Sequence, residues 1–232
     1  MIPLHDDNPT ATPPLLTVVL ISTCVLAFFW QLSLGPQQAR MIYALGVIPA
    51  VLFGHLQLPE AIALVTPSAT VFSSMFLHGG WMHLIGNMLY LWVFGNNVED
   101  AMGHARFIMF YLLCGIAAVF AQALPDPQSQ IPMIGASGAI SGVLGAYLLL
   151  YPHARVLVAI PFGFYLHTMR IKAGWVLGFW FVMQLLSSAA NAGQQGGVAF
   201  GAHIGGFVAG MLLLPLFKRR NVRYFHPGRF GG

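Results

Sequence analysis

Gly135-Ala136-Ser137-Gly138-Ala139-Ile140-Ser141-Gly142-Val143-Leu144-Gly145-Ala146-Tyr147-Leu148-Leu149-Leu150-Tyr151 is an apolar run that opens on a serine set between small residues. It follows the proline-broken loop Leu124 to Pro132, so the serine stands where a membrane helix begins. The first N–H groups of a helix have no partner within it and favour negative charge. A nucleophile whose attack creates an oxyanion fits that place. The small residues have a second reading: Gly142 and Gly145 follow at similar spacing, and such residues let helices pack closely. Taken alone, the stretch favours packing. The rest of the chain decides.

Of the 232 residues, 57% are hydrophobic and 7% are charged, where a soluble domain carries roughly 25% charged residues. The mean hydropathy of +0.74 agrees with a polytopic membrane protein. Cys24 and Cys114 both lie inside apolar runs, where they read as core filler and not as a disulfide or metal site. Residues 1–14 hold Asp6 and Asp7 and no Lys or Arg, unlike the positive leader of a cleaved signal peptide. Leu15–Leu34 therefore reads as a retained span.

Six stretches approach the roughly 20 residues that cross a bilayer core: Leu15–Leu34, His83–Val98, Ala105–Leu124, Gly135–Tyr151, Trp175–Ala190 and Val198–Phe217. The connection Gly35 to Met82 is long and apolar. Met41–Leu52 and Ile62–Met75, punctuated by Pro49, Pro59 and Pro67, predict short helices in the interface or packed on the bundle. With six spans both termini share a side. That side carries Arg106, Arg155, Arg170, Lys172, Lys218, Arg219, Arg220, Arg223 and Arg229, leaving only Arg40 on the other. By the positive-inside rule both termini are cytoplasmic. Residues 1–14 and 218–232 then read as cytoplasmic tails flanking a domain at 15–217. The basic tail is a topology anchor on this reading, with no nucleic-acid motif beside it.

Ionisable residues inside spans are costly and mark function by default. Span two begins with His83 and carries Asn87 one turn deeper on the same face. Span four contributes Ser137 and span six His203. Spans two, four and six all run from outside to inside, so these four residues share one depth in the outer half of the membrane. A neutral histidine can take a serine proton and return it to a leaving amine. Asp6, Asp7, Glu60 and Asp126 lie in the tail or outer loops, while Glu99 and Asp100 sit at the far end of span two. The expectation is a Ser–His dyad without a carboxylate. His83 and Asn87 would donate to the oxyanion beside the N–H of Ser137. A lone membrane histidine or asparagine can instead join helices. Metal chemistry does not fit, because His78 and His83 are five apart and no H-E-x-x-H occurs.

Three segments now stand together: His78-Gly79-Gly80-Trp81-Met82-His83-Leu84-Ile85-Gly86-Asn87, Gly135-Ala136-Ser137-Gly138, and Ala202-His203-Ile204-Gly205-Gly206-Phe207-Val208-Ala209-Gly210. In this order, on spans two, four and six, they resemble the rhomboid family of intramembrane serine proteases over about residues 15 to 217. The resemblance implies an all-α membrane protein, a six-transmembrane-helix bundle with a long membrane-associated loop between helices one and two. It implies Ser137 as nucleophile, His203 as base, His83 and Asn87 in the oxyanion hole, and Gly206 and Gly210 packing span six on span four. No cofactor or metal is implied. The partners expected are transmembrane-protein substrates and the lipid bilayer, with no nucleic acid, and the location is the bacterial cytoplasmic (inner) membrane. Two positions depart from the family pattern. Ala69-Thr70 stands where some members have Trp-Arg, and Ser141 stands where some have an aromatic that stacks on the base. Gly193 to Gly197 is expected to flex near the entry to the site. A rival reading is a non-catalytic binding protein or solute carrier, though a carrier would more often show an internal repeat with paired broken helices.

Overall fold

The computed structural model describes residues 1–163, 165–191 and 197–226. In chain order the elements are β1 (Ile2–Asp6), α1 (Leu15–Ser33), α2 (Gln38–Leu45), α3 (Pro49–Leu52), α4 (Pro67–Ser73), α5 (Trp81–Met102), α6 (His104–Ala123), α7 (Ser137–Leu150), β2 (Arg155–Phe162), β3 (Tyr165–Lys172), α8 (Ala173–Ala190) and α9 (Phe200–Phe217). A helix stands at each of the six expected spans. Four of them, α1, α6, α8 and α9, are long and apolar enough to cross a membrane. The other two fall short of that description for different reasons. α5 has 22 residues but carries His83, Asn87, Asn96, Asn97, Glu99 and Asp100. α7 is apolar throughout but has only 14 residues, a rise of about 21 Å.

α7 is the axis of the molecule. Every residue from Gly138 to Tyr147 is buried, as expected of a helix apolar on all sides. Its glycines let the neighbours reach its backbone. A Cβ on Gly206 would fall on the carbonyl oxygen of Gly138, and one on Gly210 on that of Gly142. α9 therefore lies backbone to backbone on α7, and no side chain can be inserted between them. Around this pair the core gathers Phe94 and Leu91 of α5, Phe107, Phe110 and Tyr111 of α6, Leu177 of α8 and Phe207 of α9. The segment between α1 and α5 rests on the bundle through Val47, Val71 and Met75, which pack with Val119 of α6. An isolated bridge from Val47 to Met133 ties this segment to the loop before α7.

The all-α expectation is corrected by a three-stranded antiparallel sheet in the order β1-β2-β3. β2 and β3 form a hairpin from Arg155↔Lys172 to Phe162↔Tyr165, and β1 adds itself with Asp6 opposite Val156 and Ile2 opposite Ala159. The physical reason is readable afterwards. Val156 and Val158 are buried on β2 with Leu157 half-buried between them, and the β-branched residues Val156, Val158 and Ile160 recur with the period of a strand. Hydropathy windows long enough to find spans pass over an alternation this short.

The first fourteen residues are likewise not a free tail. Tyr147 donates through its hydroxyl to Asp6 Oδ2 at 2.6 Å, with both side chains buried. Asp100 accepts from the Ala11 and Thr12 amides and from the Thr12 hydroxyl at 2.9, 3.1 and 2.6 Å. Glu99 accepts from the Leu16 and Thr17 amides at 2.8 Å each and from the Thr17 hydroxyl at 2.7 Å. A carboxylate thus satisfies the unpaired N–H groups at the start of α1 and faces the positive end of its dipole. The polar end of α5 is there to hold the N-terminus of the neighbouring helix. At the other terminus, Phe225 and His226 donate their amides to the carbonyls of Leu149 and Leu150, closing the end of α7.

Candidate active site

Ser137 is the first residue of α7. It is presented by Gly135, whose φ of +123° is open to glycine and strained for other residues. The Gly135 amide donates to the Ser74 carbonyl at 2.8 Å, which fixes the turn entering the helix. His203 lies in the first turn of α9, and the glycine-mediated contact of α9 with α7 brings the two starts together. His203 Nε2 and Ser137 Oγ are 2.8 Å apart. On the other side of the ring, Nδ1 is 2.8 Å from Gln184 Oε1 on α8. Trp180, one turn before Gln184, packs its ring 5.9 Å from the imidazole at 36°, and Phe200 meets the imidazole edge-on at 6.4 Å.

Sequence reasoning did not find Gln184 or Trp180. The available signal was a long polar side chain within the apolar run of α8, costly there without a partner. Ser141 does not take the place of an aromatic at the base. Its hydroxyl donates back to the Ser137 carbonyl at 2.6 Å, the local bond that serines inside helices commonly make.

His83, in the first turn of α5, lies across Gly135 from the serine. A Cβ added to Gly135 would stand 2.7 Å from His83 Nε2 and 3.6 Å from Ser137 Oγ. The Gly79 amide donates to His83 Nδ1 at 3.3 Å. That bond requires a bare Nδ1, so the ring proton sits on Nε2, the nitrogen facing the serine side. Asn87 follows one turn on, 8% exposed, and its Nδ2 is buried without a hydrogen-bond partner among the described residues. His78, fully buried, meets His83 edge-on at 5.1 Å. Burial, and then the neighbouring His83, push His78 down to about 4, so it stays neutral. The backbone of His78 is clamped by Gln31 of α1, which accepts from its amide at 3.0 Å and donates to its carbonyl at 3.2 Å.

The structure therefore brings Ser137, His203 and His83 together, with Asn87 one turn beyond His83. Among the described residues the side-chain hydrogen bonds of Ser137, His203 and His83 involve no carboxylate. Glu99 and Asp100 are at the opposite end of α5, about 24 Å along the helix from His83, and are engaged with the N-terminus. A hydroxyl bonded to an imidazole, beside unspent N–H donors, can attack a carbonyl and stabilise the resulting oxyanion. Of the Gly193 to Gly197 loop, all but Gly197 lies outside the described residues.

The Rhomboid domain family matches residues 66–220, from the start of α4 to just past α9. The chain belongs to the rhomboid family. It is 31% identical over 190 residues to Rhomboid protein 1, mitochondrial, of Saccharomyces cerevisiae, covering 75% of this chain and 52% of that protein. With RHOMBOID-like protein 5 of Arabidopsis thaliana it shares 30% over 162 residues, 67% of this chain and 48% of the relative. Rhomboid protease GluP of Bacillus subtilis is 32% identical over 201 residues, 86% of this chain and 35% of that protein. This rhomboid thus spans about half or less of the length of these relatives. Its long apolar helices and its family make it an integral membrane protein. The relatives come from a mitochondrion, a plant and a bacterium, which does not support the bacterial inner membrane in particular.

Proposed function

We propose that this rhomboid is an intramembrane serine endopeptidase that cleaves other membrane proteins in or near their transmembrane segments. The observation that carries the reading is the 2.8 Å approach of Ser137 Oγ to His203 Nε2. Nε2 accepts the hydroxyl proton as Oγ attacks the scissile carbonyl carbon, and the carbonyl oxygen becomes an oxyanion. The Ser137 amide, His83 Nε2–H and Asn87 Nδ2 supply its hydrogen bonds. His203 then gives the proton to the leaving amine nitrogen as the C–N bond breaks, leaving an acyl-serine. Water hydrolyses the ester by the same proton transfers in the same sense.

α1, α5, α6, α7, α8 and α9 all cross the membrane on this reading, within a domain at 15–217, and both ends are cytoplasmic. The nine-to-one distribution of basic residues supports that orientation. The shortness of α7 supports a buried site, because a helix of about 21 Å in a core of about 30 Å starts well below the outer surface. A helical substrate must unwind locally, since its carbonyls are otherwise hydrogen-bonded. Small and helix-weakening residues are therefore expected near the cleaved bond.

The test is cleavage of a transmembrane-segment substrate by the chain in proteoliposomes. Wild type is expected to cleave it, and Ser137→Ala and His203→Ala are each expected to abolish turnover. Asp126→Asn and Glu60→Gln are expected to retain it. Turnover in either dyad variant, or loss in a folded acid variant, contradicts the dyad.

A further inference from the structure

We infer that Gln184 is a positioning residue for His203, fixing the tautomer and plane of the ring. The inference rests on the Ser137–His203 reading above. For Nε2 to accept the serine proton it must be bare, so the neutral ring must carry its proton on Nδ1. Nδ1 is 2.8 Å from Gln184 Oε1. With the amide oriented as in the structure, its oxygen faces Nδ1 and can only accept, so the contact is a bond when Nδ1 carries the proton and a lone-pair repulsion when it does not. When Nε2 takes the serine proton the ring becomes a cation, and its Nδ1–H bond to Oε1 strengthens as a charge-assisted one. The amide thus favours the charged ring of the transition state.

The helix carrying Gln184 is keyed to the helix carrying the base. Phe181 stacks on Phe207 at 4.5 Å and 23°, and Trp180 lies over both Phe207 at 6.0 Å and His203 at 5.9 Å. Phe207 is one turn beyond His203, so these contacts set the height of Gln184 against the ring. Among the described residues the hydrogen bonds of the His203 side chain go to Ser137 and Gln184, not to a carboxylate. The third member of the constellation is a neutral amide from α8, and it does the orienting that Ser141 on α7 does not.

The test compares substitutions in the full chain in proteoliposomes on a transmembrane-segment substrate. Gln184→Met keeps the length of the side chain and removes the oxygen. It is expected to lower kcat about tenfold with KM and melting temperature unchanged. Gln184→Glu keeps an acceptor at the same reach and is expected to stay within about threefold of wild type. Wild-type kcat in Gln184→Met, or equal losses in both folded variants, overturns the assignment. Nitrogen-15 spectra of histidine-labelled wild type, with His203 identified by its loss in His203→Asn, test it without touching Gln184. A proton on Nδ1 is expected, and a resting proton on Nε2 overturns the proposal. A wild type that cleaves nothing would count against the acyl-transfer reading, while the nitrogen-15 result still decides what Gln184 does to His203.

Discussion

Asn87 is a carboxamide buried in a mostly apolar helix with an unspent donor, and such a group costs about 1–3 kcal/mol where nothing compensates it. Packing alone gives no return on that cost; binding an oxyanion does. A donor that acts on the oxyanion works mainly in the transition state, and losing one typically lowers kcat by about 10²–10³. Asn87→Ala and His83→Ala are therefore expected to lower kcat by that amount with little change in KM or melting temperature, and less than additively when combined. Variants that melt well below wild type yet turn over normally per folded molecule would return both residues to a packing role. The four polar residues of the site were legible because each interrupts an apolar span near its start. Gln184 was not, although it stands six residues before the end of Trp175–Ala190 and so about as deep as His203, five residues into Val198–Phe217: a neutral amide in an apolar run does not mark itself as a partner for a base. The ring contacts of Trp180 and Phe181 with α9 then hold it beside the imidazole.

At the scale of elements, the site is a consequence of how closely α9 lies on α7. Gly206 meets the Gly138 backbone, so Gly206→Leu must drive the helices apart and carry His203 away from Ser137. A displacement of about 1 Å can cost on the order of 10²-fold in rate, and the loss should appear in kcat on a substrate assay. Full activity would show that this face does not set the site's geometry. The i, i+4 glycine spacing made this contact legible in sequence. The cap on α1 was not legible, since Glu99 and Thr17 are distant in the chain. Glu99→Ala leaves those buried donors unsatisfied, and a loss of about 1–3 kcal/mol is expected, read as a drop of several degrees in thermal melting. The sheet was missed for a different reason. Val156, Val158 and Ile160 recur at every second position before Gly163, a hairpin signal, but the run is shorter than a span and is bracketed by Arg155, Arg170 and Lys172, which dominate its reading as a polar loop.

For the whole molecule, the end of the bundle where the N-terminus docks has a pH signature. Burial raises the Asp6 carboxyl from 3.8 to about 6, against the opposing effect of its bond to Tyr147. The folded state thus holds the proton more tightly than the unfolded chain. Asp6 contributes its full stability below about pH 4 and loses it as pH rises through 6, on the order of 3 kcal/mol in all. Melting temperature across pH 4–7 should fall less steeply in Asp6→Asn than in wild type, and an unchanged slope would remove Asp6 as its cause. Orientation is open to a direct check as well. A reporter fused after Gly232 is expected in the cytoplasm, and a cysteine at Gln128 is expected to react with an impermeant reagent from outside; reaction only after permeabilisation would overturn the topology. The account as a whole depends on Ser137 being a nucleophile made reactive by His203, and the most direct measurement is the mass of the purified protein after a fluorophosphonate. One adduct, mapped to Ser137, lost in Ser137→Ala and strongly slowed in His203→Ala is the predicted result. A folded chain that takes no label at Ser137, or labels equally fast without His203, would contradict it.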